Sequence, residues 1–305
     1  MKYVYGPVPS RRLGSSLGVS ITPKKTCNYS CIYCQIGKTN LMINKPQSFF
    51  EVKDIIEELK TVLSKNLNFD VITIAGDGEP TLFKDLYELI IKIKSLTTKP
   101  LAVITNGSLL FESEVKKALY EADIVLPTLD FYDEASFKKI NRHHKDLSFK
   151  KVYQGLIDFS FEFKGKIWLE MMVMEGVNDS KEDLEKFKLI LKEIKYDRLY
   201  INTPNRPPQD LKVKALSYEK MLEVSKELNA ISLDVLAHEQ FLSVIEDDYD
   251  AILNITQRHP MNQFEVESFL NNRKVKNKQE IFERLAKDPK VKIINYRGID
   301  TYNIK

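Results

Sequence analysis

Thr26-Cys27-Asn28-Tyr29-Ser30-Cys31-Ile32-Tyr33-Cys34 holds every cysteine of the 305-residue chain. Three thiols at Cys-x3-Cys-x2-Cys spacing in one short loop can turn toward a single metal centre, because the intervening residues let the loop fold back around it. A four-iron cluster has four corners, so three protein thiolates leave one iron open to a ligand that is not protein. That open corner is where chemistry is expected. Other readings fit the thiols less well. A structural zinc site takes four ligands; there is no fourth cysteine, and His143, His144, His238 and His259 all lie far downstream. An odd, sparse cysteine count without a secretory signal points to a reducing compartment, where closely spaced cysteines serve as metal ligands or redox groups rather than bridges.

The rest of the composition is ordinary. Lys and Arg number 46 against 43 Asp and Glu, a formal charge of +3, which is too mild to require a nucleic-acid partner. No apolar run approaches the roughly 18 residues of a membrane span, and the N-terminus has no charged segment followed by an apolar one, so no membrane association and a cytoplasmic location are expected. There is no low-complexity segment and no fixed-period repeat.

Around the cysteine loop the chain alternates short apolar runs with amphipathic helices, the pattern of successive strand-helix units with a parallel sheet. Strands are predicted at Ser16 to Ile21, Val71 to Ala75, Leu101 to Thr105, Ile124 to Leu129, Ile167 to Met174 and Arg198 to Asn202. A seventh apolar run, Ser232 to Ala237, is an added strand candidate. Helices are predicted at Val52 to Leu63, Leu82 to Leu96, Glu112 to Glu121, Glu134 to Ile140, Lys150 to Phe161 and Lys181 to Ile194. The opening stretch Tyr5 to Gly14 is too rich in Pro and Gly for regular structure. Beyond Glu246-Asp247-Asp248 the pattern changes to helices Tyr249 to Thr256, Gln263 to Leu270 and Lys278 to Lys287, then strands Val291 to Tyr296 and Ile299 to Ile304 joined at Arg297-Gly298. Three short helices and a hairpin resemble a winged helix. The chain therefore divides into an α/β domain, 1–246, and a small α+β domain, 247–305.

Other candidate residues fall at strand ends. In Ala75-Gly76-Asp77-Gly78-Glu79-Pro80-Thr81-Leu82 the glycines let backbone approach a ligand, and Glu79 offers a negative group to an ammonium; an ordinary strand-to-helix turn reads similarly. Asn106, Asp130 and Glu170 sit at or near later strand ends, where barrel-like α/β folds place chemistry; turn and helix-start roles explain Asn106 and Asp130 nearly as well. Arg11, Arg12, Arg142 and Arg206 are anion-binding candidates, with solvated turns as the alternative. Adjacent His143 and His144 rarely point at one ion.

The cysteine spacing, with Tyr33 just before the last cysteine, resembles the signature of radical S-adenosylmethionine (radical SAM) enzymes. The resemblance implies a partial (β/α)6 barrel, a [4Fe-4S] cluster on Cys27, Cys31 and Cys34, and SAM on the open iron. SAM is cleaved reductively to methionine and a 5'-deoxyadenosyl radical that abstracts hydrogen from substrate. It places Tyr33 near the adenine, and Gly76, Asp77, Gly78 and Glu79 on the methionine amino group. Asn106, Asp130 and Glu170 would serve the ribose hydroxyls, and Arg142 the carboxylate or a substrate anion. A reductant such as flavodoxin or ferredoxin is implied. The start Gly-Pro-Val-Pro-Ser-Arg-Arg-Leu-Gly and the Gly-Asp-Gly-Glu-Pro-Thr-Leu stretch are most similar to proteins classed near the wyosine-type tRNA-modifying enzymes. Those enzymes carry a second cluster on three further cysteines, which this chain lacks. RNA is the favoured substrate class because residues 273–297 are rich in Lys and Arg; a protein substrate, as in activases of glycyl-radical enzymes, and a small metabolite stay open. The alternative from another class is an iron-sulfur-sensing winged-helix regulator that cleaves no SAM.

Overall fold

In the computed structural model, which describes residues 1–233 and 241–305, the alternation closes into one eight-stranded sheet. In chain order the strands are β1 (Val4–Ser10), β2 (Gly14–Val19), β3 (Thr26–Cys27), β4 (Leu41–Met42), β5 (Val71–Ile74), β6 (Leu101–Thr105), β7 (Ile124–Pro127) and β8 (Lys166–Met172). They continue as β9 (Met174–Glu175), β10 (Arg198–Asn202), β11 (Lys214–Ala215), β12 (Ile231–Ser232), β13 (Met261–Asn262), β14 (Val291–Tyr296) and β15 (Ile299–Ile304). The helices are α1 (Val52–Leu63), α2 (Leu86–Leu96), α3 (Ser113–Leu119), α4 (Glu134–Asn141), α5 (Phe149–Glu162), α6 (Lys181–Leu191), α7 (Tyr218–Glu227), α8 (Asp248–Arg258), α9 (Gln263–Asn272) and α10 (Lys278–Lys287).

The sheet order is β1-β2-β5-β6-β7-β8-β10-β12, parallel from β2 onward. This is the expected partial barrel of six strand-helix units, extended at both edges. Alternate residues on each strand explain its two faces. Leu17, Val19, Ile72, Ile74, Val103, Val125, Leu169 and Ile201 pack outward into the main core with the helices. Val71, Ala102, Ile124, Leu126, Trp168 and Tyr200 form a separate inner cluster. Helix α1 buries Val52, Ile55, Ile56, Leu59 and Val62, one stripe at helical spacing.

The N-terminal stretch departs from expectation. Val4–Ser10 is a strand, paired antiparallel with β2, with its register shifting between Tyr5 and Val8. Pro is tolerated there because β1 is an edge strand with a bulge. The helix expected over Leu82 to Leu96 starts at Leu86; Pro80–Leu82 is instead a short 3-10 turn capped by the Glu79 side chain. The run Ile167 to Met174 divides into β8 and β9. Helix α7 was not anticipated. Of the strand expected over Ser232 to Ala237, only its first residues, 232–233, are described; β12 covers Ile231–Ser232, and His238 also lies outside the described residues.

The C-terminal helices and the β14-β15 hairpin occur where expected, and β13 adds to give a three-stranded sheet in the order β13-β15-β14. Their core takes in Tyr5 and Val8 of β1 beside Ile252, Ile255, Phe269 and Leu285. The C-terminal segment is therefore seated on the edge strand of the barrel.

Candidate active site

The cysteine loop leaves the carboxyl end of β2 and is tied down on several sides. Ser30 and Ile32 N–H groups donate to the carbonyls of Asn141 and Ile140 at 2.9 Å each, which fixes the loop against the end of α4. Buried Tyr29 packs edge-on against Phe137 at 5.2 Å. Inside the loop, Cys34 N–H donates to the Cys31 carbonyl and Gly37 N–H to the Cys34 carbonyl, at 3.1 Å each. These turns hold the three thiols free, half-buried and facing one cavity of about 390 Å³.

Donors are aimed at the sulfurs. Asn106 Nδ2 lies 3.6 Å from Cys27 Sγ, Tyr29 N–H 3.4 Å from the same atom, and Asn141 Nδ2 3.4 Å from Cys31 Sγ. Such donors favour thiolate over thiol. Burial pushes all three thiols up, which a coordinating cation would reverse. Among the described residues no three His, Cys, Asp or Glu side chains are grouped to hold one metal ion. A cubane takes each thiolate on a different iron and so wants the sulfurs around a space rather than a point; Cys27, Cys31 and Cys34 line one cavity. The donor set thus fits an iron-sulfur cluster better than zinc.

The Gly76–Glu79 loop is laced to the cysteine strand. Lys25 N–H donates to the Asp77 carbonyl at 2.6 Å and Glu79 N–H to the Thr26 carbonyl at 3.0 Å. A Cβ on Gly78 would collide with the Thr26 carbonyl oxygen, and one on Gly76, at φ +138°, would press on Ser20. The glycines are thus required by the protein's own close packing. Asp77 is buried; its Oδ2 accepts from Ser20 Oγ at 2.7 Å and lies 3.2 Å from Arg258 Nε of α8.

Glu79 is also buried, and like Asp77 it lines the cavity. Its Oε1 accepts from Thr81 N–H at 3.0 Å, Thr81 Oγ1 at 2.7 Å and Thr105 Oγ1 at 2.6 Å, and its Oε2 from Asn106 N–H at 2.7 Å. A carboxylate has about four lone-pair sites, so Oε2 keeps capacity for one more donor. Burial raises this carboxyl, and the four donors oppose the rise.

Asn106, Glu170 and Tyr33 line the same cavity. Asn106 Nδ2 is anchored by Asn28 Oδ1 at 2.7 Å. Glu170 pairs with Arg12 and accepts from Asn202 Nδ2 at 3.2 Å. Arg12 enters from the β1-β2 turn, and burial with neighbouring Arg11 lowers its guanidinium to about 10. The Tyr33 hydroxyl donates to Asp130. Asp130 itself does not line the cavity: it is fully buried, accepting from Met172 N–H at 2.7 Å and Asn141 Nδ2 at 3.2 Å. It thereby orients Tyr33 and the Asn141 that faces Cys31.

Burial pushes Asp130 up to about 6. The native state then holds the proton at a pH where the unfolded chain, titrating near 4, has lost it. Stability from this group is full below about pH 4 and is lost as pH rises through 6, a loss of about 3 kcal/mol. Asp130→Asn is therefore expected to gain on the wild type between pH 4 and 6 and to run parallel to it above. Urea midpoints of the two apo proteins across that range check this; a constant difference would refute it.

Several candidates lie away from the cavity or are otherwise engaged. Arg142, the left-handed C-cap of α4, is half exposed and paired with Asp210 at 3.2 Å, outside the cavity. His143 stacks on Phe137 at 3.9 Å and bonds Glu134 at 3.2 Å, a packing role. Arg206 lines the cavity but is bound to Glu265 at 2.8 Å and to the Pro260 carbonyl at 2.6 Å. Sequence reasoning missed Ser20, Lys25 and above all Arg258, which ends an amphipathic helix and reads locally as a solvated cation.

The radical SAM superfamily profile matches residues 21–188, and the chain belongs to that superfamily, whose members are enzymes using a [4Fe-4S] cluster and SAM. A UPF0026 protein of Methanocaldococcus jannaschii is 33% identical over 315 aligned positions, covering 100% of this chain and 97% of that protein. A protein of Brachyspira hyodysenteriae named GTPase Obg is 45% identical over 237 residues, 77% of this chain and 35% of that protein, so the chain spans about a third of that relative's length. Among solved structures, a radical SAM methyltransferase from Sphaerobacter thermophilus superposes with a TM-score of 0.53 at 14% identity, over 72% of this chain and 67% of that one. At that identity it speaks for the fold alone. Among the described residues no helix is long and apolar enough to cross a membrane.

Proposed function

We propose that the protein is a single-cluster radical SAM enzyme whose [4Fe-4S] cluster is held by Cys27, Cys31 and Cys34. The observation that carries this is one cavity shared by three free thiols and the buried, pre-positioned Glu79. A bound cluster would supply the electron for reductive cleavage of SAM, and with it the hydrogen-abstracting chemistry of a 5'-deoxyadenosyl radical. Glu79 Oε2 would receive the methionine ammonium. Asn106 and Glu170 would meet ribose hydroxyls, and Tyr33, held by Asp130, would offer its ring to the adenine.

RNA is the substrate class we favour. Lys274, Lys276, Lys287, Lys290 and Lys292 are exposed on or between α9, α10 and β14, in a segment we read as a winged-helix domain over 247–305. Such a face suits phosphate contacts. With three cysteines in all, the chain cannot build the second cluster of wyosine-type enzymes, so its reaction on RNA differs from theirs. The deciding experiment is anaerobic reconstitution with iron and sulfide, reduction by dithionite, addition of SAM and measurement of 5'-deoxyadenosine. Production of it is expected, with acceleration by tRNA. A well-formed cluster that yields none overturns the enzyme reading and favours a sensor whose DNA affinity follows the cluster.

A further inference from the structure

The loop that carries the thiols also has an outer side. Past Cys34 the chain runs to the surface and returns as β4, where Leu41 and Met42 are 45% and 38% exposed although both are apolar. β4 lies parallel to β3, with Thr26 opposite Leu41 and Cys27 opposite Met42. Ile43 N–H donates to the Cys27 carbonyl at 3.3 Å. Two exposed apolar side chains thus lie on a strand bonded directly to the residue that carries the first thiol.

Along this stretch of chain the charge has one sign. Residues 22–50 include Lys24, Lys25, Lys38 and Lys45 and no Asp or Glu. Lys38 and Lys45 are exposed, whereas Lys24 donates to the Ile304 and Lys305 carbonyls at 2.7 and 2.5 Å. An exposed apolar pair with an exposed lysine three residues away on either side, Lys38 and Lys45, suits an acidic protein surface, with the charges steering encounter and the apolar contact fixing it. The inner side of the same thiols faces the cavity that takes cofactor and substrate, so an electron delivered from β4 arrives without displacing either.

We propose that this patch, with Leu41 and Met42 at its centre and Lys38 and Lys45 at its rim, docks an acidic one-electron carrier protein that reduces the cluster by way of Cys27. The proposal rests on the cluster reading above. In the step the carrier loses one electron and the cluster gains one; no bond is made or broken.

The test uses the reconstituted full chain, a Lys38→Glu/Lys45→Glu variant and a Leu41→Ser/Met42→Ser variant, with purified flavodoxin and purified ferredoxin as probes. Both variants are expected to bind oxidised carrier about tenfold more weakly at low salt and to be reduced by photoreduced carrier correspondingly more slowly. Added salt should erase the difference for the charge variant. Dithionite, which needs no docking face, should reduce all three proteins at one rate. Variants reduced by both carriers as fast as wild type overturn the proposal, as does a wild-type cluster that dithionite reduces and neither carrier does. Loss of tRNA binding with carrier reduction intact would make this an RNA face and overturn it too. A wild type that dithionite also leaves unreduced removes the cluster reading itself, and that failure is thereby distinguishable.

Discussion

Cys31→Ala is expected to give a folded protein with no intact [4Fe-4S] cluster and no 5'-deoxyadenosine above background. The loop is held mainly by backbone bonds that alanine retains: Cys34 N–H to the residue-31 carbonyl, and the neighbouring Ser30 and Ile32 N–H groups to the end of α4. The half-buried side chain touches the main core only at its margin, so its loss costs about 1 kcal/mol, within the ordinary range for a point substitution. The ligand set has no such reserve. The chain contains three cysteines, and each is needed if one corner is to stay open for SAM. The check is iron and sulfide content and 5'-deoxyadenosine yield beside a melting curve. Melting only slightly below that of the cluster-free wild type, with the cluster lost, is the expected pattern, and a variant that keeps full activity would remove Cys31 from the ligand set.

Arg258→Ala is the larger perturbation of the polypeptide. Arg258 and Asp77 side chains are each 4% exposed and 3.2 Å apart. The guanidinium also donates to the Lys2 carbonyl at 2.5 Å and to the Asn254 carbonyl at 3.3 Å, and lies over the Tyr5 ring. Asp77 Oδ1 and Arg258 Nε have no aligned hydrogen-bond partner, so the attraction between the two is chiefly charge on charge. Removing the cation leaves a buried carboxylate with Ser20 as its main support, at a cost of about 3–5 kcal/mol. Because Asp77 sits between Gly76 and Gly78, SAM affinity should fall along with stability. Adding Asp77→Asn in the same chain removes the stranded charge and should restore much of the stability. Denaturant unfolding of apo protein and SAM titration measure both effects. If single and double variants are equally stable, the pair does not hold the loop.

Much of this site was readable from local pattern. The cysteine spacing and the Gly76–Glu79 run sit after consecutive strands, and apolar periodicity placed α1, β6, β10, α10, β14 and β15 at their observed ends. Local pattern failed where the deciding partner is distant. Val4–Ser10 reads as loop by composition, yet pairing with β2 and burial under α8 make it a strand. Arg258 and Asp210, the ion-pair partners of Asp77 and Arg142 in the fold, are likewise distant in sequence and have no local signal. Glu170 carries an inward-pointing signal in its alternation with Trp168 and Met172, but nothing nearby in sequence announces Arg12.

The reach of α8 to the Gly76–Glu79 loop also has a consequence for biosynthesis. The cysteine loop and five of the six core strands come before α6 in the chain, whereas the residue that braces Asp77 comes only after the sixth strand, in a segment whose own core needs Leu285, Val291 and Tyr302. A nascent chain on the ribosome therefore displays its thiols before the wall beside them exists. The cavity takes its final shape only after α8 and the segment that supports it have been made and have folded back.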